Sequence, residues 1–211
     1  MPRRNREVPP GCVLHIVNRG NDKRIIFPEP IDYAAFLVLM REARERFGVE
    51  LYAYCLMPNH FHLVVKTSGL DEISAYMHFV QRHHACDLRK CWRTRGQGHV
   101  FQRRYWSKVV VGTGYLITVM KYVEANPYRA GLLEPTSVWE WSSLWDRETG
   151  ERDLLQQPPI WIPEGWRTIV TVPLPQIDLD RIRRAGTRGR PNACTYTLRK
   201  NEAGPLFANR N

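Results

Sequence analysis

Apolar residues recur along this chain with two periods, and the switches between them mark its elements. Cys12 to Asn18 alternates and is rich in β-branched residues, which predicts a first strand. It runs into the turn signal Arg19-Gly20-Asn21-Asp22. From Ile31 to Phe47, apolar Phe36, Leu37, Leu39, Met40 and Ala43 lie against charged Arg41, Glu42, Arg44 and Glu45. That spacing predicts an amphipathic helix, stopped by Gly48. Val49 to Met57 reads as a second strand and His60 to Lys66 as a third, with Pro58-Asn59 as the break of a hairpin. A second helix is predicted over Leu70 to Cys91, opened near Ser68 or Asp71. After a loop at Gly96-Gln97-Gly98, Val100 to Val111 holds a fourth strand with Arg103-Arg104 near its start. Thr113 to Asn126 reads as a third helix ended by Pro127, because a residue before proline is driven from helical geometry.

The order β-α-β-β-α-β-α predicts an α+β fold. Its first six elements match a ferredoxin-like antiparallel sheet with two helices on one face. After Ala130 the texture changes. Prolines 135, 158, 159, 163, 173, 175 and 191 and tryptophans 139, 141, 145, 161 and 166 crowd together. Such a stretch cannot extend helices or central strands, so an irregular Pro/Trp-rich C-terminal extension wrapping the core is expected. The chain is divided accordingly into a domain over 1–145 and an extension over 146–211. The extension ends in a basic run of Arg181, Arg183, Arg184, Arg188 and Arg190 that reads as a DNA-contacting tail.

Charge narrows the partner. The 211 residues, 43% hydrophobic, carry a net charge of +10, with 25 Arg and only 6 Lys. Arginine is the better fork for phosphate and also stacks on bases. Seven Trp and nine Tyr add stacking surfaces. Nucleic acid is therefore the first partner to consider, ahead of an acidic protein or anionic lipid. Five cysteines (12, 55, 86, 91, 194) form no Cys-x-x-Cys pair and are odd in number, which argues against a disulfide framework and fits a reducing cytoplasm. No apolar run approaches the roughly 20 residues of a membrane span, and no apolar segment follows the basic Met1-Pro2-Arg3-Arg4.

Two residue pairs carry candidate chemistry. His60 and His62 are two apart on a strand, so they face the same side and form a divalent-metal platform. Tyr122 and Asn126 are four apart on a helix and share a face, offering a phenolate nucleophile and an amide oxygen. Converging, the four groups suit phosphoryl transfer: an ion withdraws charge from a phosphate oxygen while tyrosine attacks phosphorus in line. Each part also has a plainer reading: histidines as core or surface residues, tyrosine as packing, Asn126 as a helix cap. Tyr115 lies on nearly the same face two turns earlier and is a rival nucleophile, but Val119 stands four residues on, where an amide would be needed. A zinc site built from His78, His83, His84, Cys86 and Cys91 is disfavoured, since their spacing matches no usual motif.

Leu56-Met57-Pro58-Asn59-His60-Phe61-His62-Leu63-Val64, followed by Tyr122-Val123-Glu124-Ala125-Asn126-Pro127-Tyr128-Arg129-Ala130-Gly131-Leu132, resembles the single-tyrosine HUH transposases, IS200-like. The branch it resembles most is the REP-associated tyrosine transposases. Arg19-Gly20-Asn21 with Ile26-Phe27, and Phe101-Gln102-Arg103-Arg104-Tyr105, are similar to that family too. The resemblance covers about residues 12 to 145. It implies a ferredoxin-like domain that cuts and rejoins single-stranded hairpin DNA. His60 and His62 would hold Mg²⁺ or Mn²⁺, with Asn126 in place of the glutamine found as third ligand in many relatives. Tyr122 would take the 5′-phosphate of the cut strand and release a 3′-OH. No nucleotide cofactor is implied, because the bond energy is retained in the phosphotyrosine.

Softer expectations concern the substrate. Asn18, Arg19 and Asn21 are placed to read bases beside a hairpin, Arg103 and Arg104 to track its backbone, and Arg129 to hold a phosphate. The extension favours a monomer over a dimer, by covering an edge or face used for pairing. The rival reading is a catalytically silent, transposase-derived regulator that binds nucleic acid. A third is a metal-dependent nuclease that uses water.

Overall fold

A computed structural model describes residues 8–92 and 98–184. Four strands, β1 (Cys12–Arg19), β2 (Glu50–Met57), β3 (His60–Thr67) and β4 (Trp106–Val110), form one sheet in the order β2-β3-β1-β4, each neighbour antiparallel. Helix α1 (Pro30–Phe47) links β1 to β2, and α2 (Leu70–Cys91) links β3 to β4. This is the ferredoxin-like plan. Its edges follow local chemistry. Glu29 and Asp32 form a reciprocal capping box at the start of α1, with Pro30 in the first turn. Gly48 ends it in the left-handed conformation at φ 66°.

The sheet is covered on both faces. Leu14, Ile16, Phe61, Leu63 and Val65 pack with Phe36 and Met40 of α1 and Tyr76, Met77 and Val80 of α2. On the opposite face Val13, Cys55, Met57, Val64 and Val110 pack against α3 (Thr113–Glu124) through Leu116, Val119, Met120 and Val123. Double burial explains why β2 and β3 read as nearly unbroken apolar runs. Each fully buried large side chain stabilises the fold by about 1.5–3 kcal/mol.

Two boundaries differ from the sequence reading. The strand expected from Val100 begins at Trp106; residues 100–102 instead run beside the end of β1, through Asn21 N–Val100 O and Gln102 N–Arg19 O bonds of 2.8 and 2.9 Å. Arg103 and Arg104 therefore sit in a bend before β4, not on it. Pro127 does not close the third helix. Helix α3 stops at Glu124, and Pro127 lies in the first turn of a short helix, α4 (Asn126–Arg129), where its missing N–H is tolerated.

The extension follows an irregular path carrying three short helices, α5 (Ser143–Thr149), α6 (Trp166–Thr171) and α7 (Gln176–Arg184). The division expected after residue 145 falls inside α5. Leu144, Trp166, Val170 and Ile182 belong to the core on the α3 face. The extension also pairs with the free side of β2. Leu56 N donates to Trp141 O (2.9 Å), Trp139 Nε1 to Leu56 O (2.7 Å), and Leu51 and Gln156 exchange bonds of 2.7 and 2.8 Å. A buried carboxylate fastens α5 and α6 to α3: Glu124 accepts from Ser143 Oγ (2.5 Å), Arg147 Nε (3.0 Å) and Trp166 Nε1 (2.5 Å). No helix among the described residues is long and apolar enough to cross a membrane.

Candidate active site

The site starts from the turn between β2 and β3. Pro58 O accepts from Ile26 N and Phe27 N (2.8 and 3.1 Å), and Asn59 O accepts from Gly20 N (2.9 Å). This close approach needs glycine: a Cβ at position 20 would stand 2.2 Å from Arg24 O and 2.8 Å from Ile26 Cγ2. Asn59 Nδ2 donates to Lys23 O (3.2 Å), which turns Asn59 Oδ1 toward His60 Nδ1 at 2.7 Å. His60 therefore carries its proton on Nδ1 and keeps a lone pair on Nε2.

His60 and His62 follow on the face of β3 covered by α3, their ring centroids 5.1 Å apart. Across the sheet they oppose Arg19 and Val17 of β1. From the helix side, Tyr122 brings its ring within 5.8 Å of His62, centroid to centroid. The sequence reading missed a third histidine. His15 of β1 lies 3.0 Å from His62 Nδ1 through its Nε2, and its ring is 5.9 Å from Tyr122. Its signal was present but quiet: the alternation of β1 puts His15 on the face of Val13 and Val17.

A cavity of about 390 Å³ opens beside these groups. His15, His62, Trp106 and Tyr122 line it, together with four arginines, Arg19, Arg103, Arg104 and Arg183, and no carboxylate among the described residues. Burial pushes the histidines toward their neutral forms: His15 falls to about 3, helped by Lys108, and His60 to about 4, helped by Arg19. His62 lies well below its ordinary value for the same reason, reinforced by His15, His60, Arg129 and Arg19. Neutral imidazoles are the form that binds a metal. His60 and His62 thus fit a divalent ion in donor chemistry and protonation. Among the described residues no group of three or more His, Cys, Asp or Glu could hold one, so amide, water or phosphate oxygens would complete such a site.

The other expected residues divide. Asn126 begins α4, where its Nδ2 donates to Tyr122 O (2.9 Å) and Val123 O (3.2 Å), and its Oδ1 faces Arg129 Nη1 at 3.5 Å. Arg129 Cζ lies 4.5 Å from the centroid of the Tyr122 ring. The rival Tyr115 is held elsewhere: its hydroxyl accepts from Lys108 Nζ (2.7 Å), and Arg181 Cζ sits 4.1 Å from its ring centroid. Asn18 lines the cavity but its amide is engaged, Nδ2 donating to Arg103 O (3.2 Å) and Oδ1 accepting from Arg19 N (2.9 Å). Asn21 sits in the short turn Asn21–Lys23, its Nδ2 3.5 Å from Asp22 Oδ2. Arg188, Arg190 and the side chain of Arg184 lie outside the described residues.

A Haemophilus influenzae protein named as a REP-associated tyrosine transposase is 23% identical over 112 residues, 49% of this chain; the chain spans 64% of that relative's length. A solved REP-associated tyrosine transposase bound to a REP hairpin superposes with a TM-score of 0.57 at 17% identity, covering 78% of this chain and 95% of that one. A Deinococcus radiodurans transposase structure gives a TM-score of 0.41 at 15% identity, covering 58% of this chain and 96% of that one. The family model described as "Transposase IS200 like" matches residues 10–126, spanning the sheet, both histidines, Tyr122 and Asn126. The chain belongs to the IS200-like transposase family.

Proposed function

We propose that this protein is a metal-dependent endonuclease and strand-transferase for single-stranded DNA that folds as a REP-like hairpin, working through a 5′-phosphotyrosine on Tyr122. The observation that carries this reading is the meeting of Tyr122 and His62 in a cavity walled by four arginines, with no carboxylate among its described lining residues. A phosphodiester entering it meets cations and a hydroxyl. The hairpin as ligand class is carried over from the solved relative.

His60 and His62 would hold Mg²⁺ or Mn²⁺, which draws charge from a phosphate oxygen when bound. Imidazole donors favour Mn²⁺ in affinity, while abundance favours Mg²⁺. Asn126 would enter as third ligand through Oδ1, which keeps a lone pair free beside its long Arg129 contact. Tyr122 Oη attacks the phosphorus as its proton leaves. The new O–P bond replaces the bond to the 3′-oxygen, which departs as a 3′-OH. A 3′-OH then reverses the step and rejoins DNA. Arg19, Arg103, Arg104 and Arg183 supply phosphate contacts from the walls. Capping of the β2 edge supports a monomer, and exposed unpaired Cys86 and Cys91 suit a reducing cytoplasm.

The test mixes the protein with hairpin oligonucleotides from its own genome's repeats and Mg²⁺ or Mn²⁺, followed by a denaturing gel. A retarded protein–DNA band, lost with Tyr122→Phe and without metal, is expected. Tight, salt-sensitive binding of verified cognate DNA with no such band would make the protein a silent hairpin-binding regulator instead. Cleavage that survives Tyr122→Phe would make it a water-using nuclease.

A further inference from the structure

His15 and His62 meet through ring nitrogens, Nε2 to Nδ1, at 3.0 Å. Their planes are 15° apart and their centroids 5.3 Å apart, a spacing too wide for close face contact and suited to an in-line hydrogen bond. Both residues are buried, 2% and 5% exposed, so water is a poor substitute for either partner. The remaining nitrogen of His15, Nδ1, is buried and finds no partner among the described residues.

A neutral imidazole has one N–H, so the contact has two forms. In the first, His15 Nε2–H donates to His62 Nδ1. The proton of His62 then sits on Nε2, which blocks that nitrogen as a ligand, and His15 Nδ1 is an unpaired lone pair. In the second, His62 Nδ1–H donates to His15 Nε2. His62 Nε2 now offers a lone pair, and His15 carries an unpaired, buried Nδ1–H. An orphaned N–H is the less tolerated of the two, so the first form is preferred without an ion.

We propose that His15 is a positioning residue that makes His62 a ligand: ion binding drives the pair from the first form to the second. This rests on the reading of His60 and His62 as the ion-holding pair. The protons balance. One crosses the hydrogen bond from His15 Nε2 to His62 Nδ1, His62 Nε2 releases one to water, and His15 Nδ1 takes one up by solvent exchange. His60 needs no such change, because Asn59 already fixes its proton on Nδ1. One ligand is permanently open and the other opens with the ion, at the expense of an unpaired N–H on His15.

Two measurements on the full chain test this. Mn²⁺ affinity, read from the paramagnetic signal of the free ion, is expected to fall roughly 10- to 100-fold in His15→Leu, the usual effect of losing a ligand's supporting partner. His15→Gln, whose amide oxygen can accept from His62 Nδ1–H, restores most of it. The second measurement follows the imidazole ¹⁵N signals of the wild type with Zn²⁺, a diamagnetic probe. His15 Nδ1 is expected to change from bare to protonated as Zn²⁺ saturates. This reading decides the matter if His15→Leu does not fold. A folded His15→Leu with wild-type Mn²⁺ affinity, or no change at His15 Nδ1, would overturn the positioning role alone. A wild type that binds neither ion would overturn the metal site and this role together.

Discussion

The guanidinium of Arg129 lies over the ring of Tyr122, with Cζ 4.5 Å from the centroid. The two are seven residues apart, and α4 brings them together by restarting the helix after Ala125. A cation over a phenol steadies the ring and stabilises negative charge developing on its oxygen. Such contacts are worth about 0.5–2 kcal/mol, or roughly 2- to 30-fold in rate. Arg129→Ala is expected to slow single-turnover formation of the covalent adduct by that factor. Wild-type adduct kinetics in this variant would remove Arg129 from the site.

Tyr115 offers the contrasting experiment. Its hydroxyl is committed to Lys108 and its ring to Arg181, and it does not line the cavity beside the histidines. Tyr115→Phe should keep full adduct formation and lose about 1 kcal/mol of stability with the hydrogen bond. Disappearance of the adduct in a folded Tyr115→Phe protein would transfer the nucleophile's role to Tyr115.

The two pairs of candidate residues were visible in the sequence because their spacing matches the period of their elements. The apolar runs of β2 and β3 and the left-handed stop at Gly48 were equally legible. His15 was not, since a histidine in an apolar strand reads as core until its partner 47 residues away is known. Nor was the orientation of Asn126, whose Nδ2 turns back to the carbonyls of α3. The late start of β4 depends on residues 100–102 pairing beside β1, a long-range choice that no local pattern encodes. Pairing of Trp139 to Gln156 with β2 was hidden for the same reason, although the wrapping role of the segment was expected from its prolines.

Acid should weaken the fold through buried histidines. His84, whose Nε2–H donates to Ile26 O (2.7 Å), is lowered chiefly by burial, and His15 falls to about 3, also chiefly by burial. The unfolded chain, with histidines near 6.5, then binds more protons than the native state below that pH. Stability from these groups is full above about 6.5 and is lost as pH falls through the window toward their folded values. The slope approaches about 1.4 kcal/mol per pH unit for each histidine. Metal-free urea melts between pH 7.5 and 5 should show this decline; a flat profile would contradict it.

Glu124 holds the extension to α3 from a fully buried position, two residues from Tyr122. Glu124→Ala leaves Arg147 and the indole N–H of Trp166 without their acceptor. Removing one partner of such a buried pair costs about 3–5 kcal/mol. Urea unfolding should register most of it, and a loss below about 1 kcal/mol would mean that water or another side chain takes over the acceptor role.

The strip of chain from Trp139 to Gln156 that closes the β2 edge has a kinetic meaning. Under the proposed mechanism, the imidazole pair, phenol and arginine walls supplied by this one chain would give a monomer a single reactive centre, holding one strand end at a time. Cutting and rejoining would then be successive visits to the same phenol, with the second end diffusing in while the first stays tethered. Turnover per molecule would be independent of protein concentration.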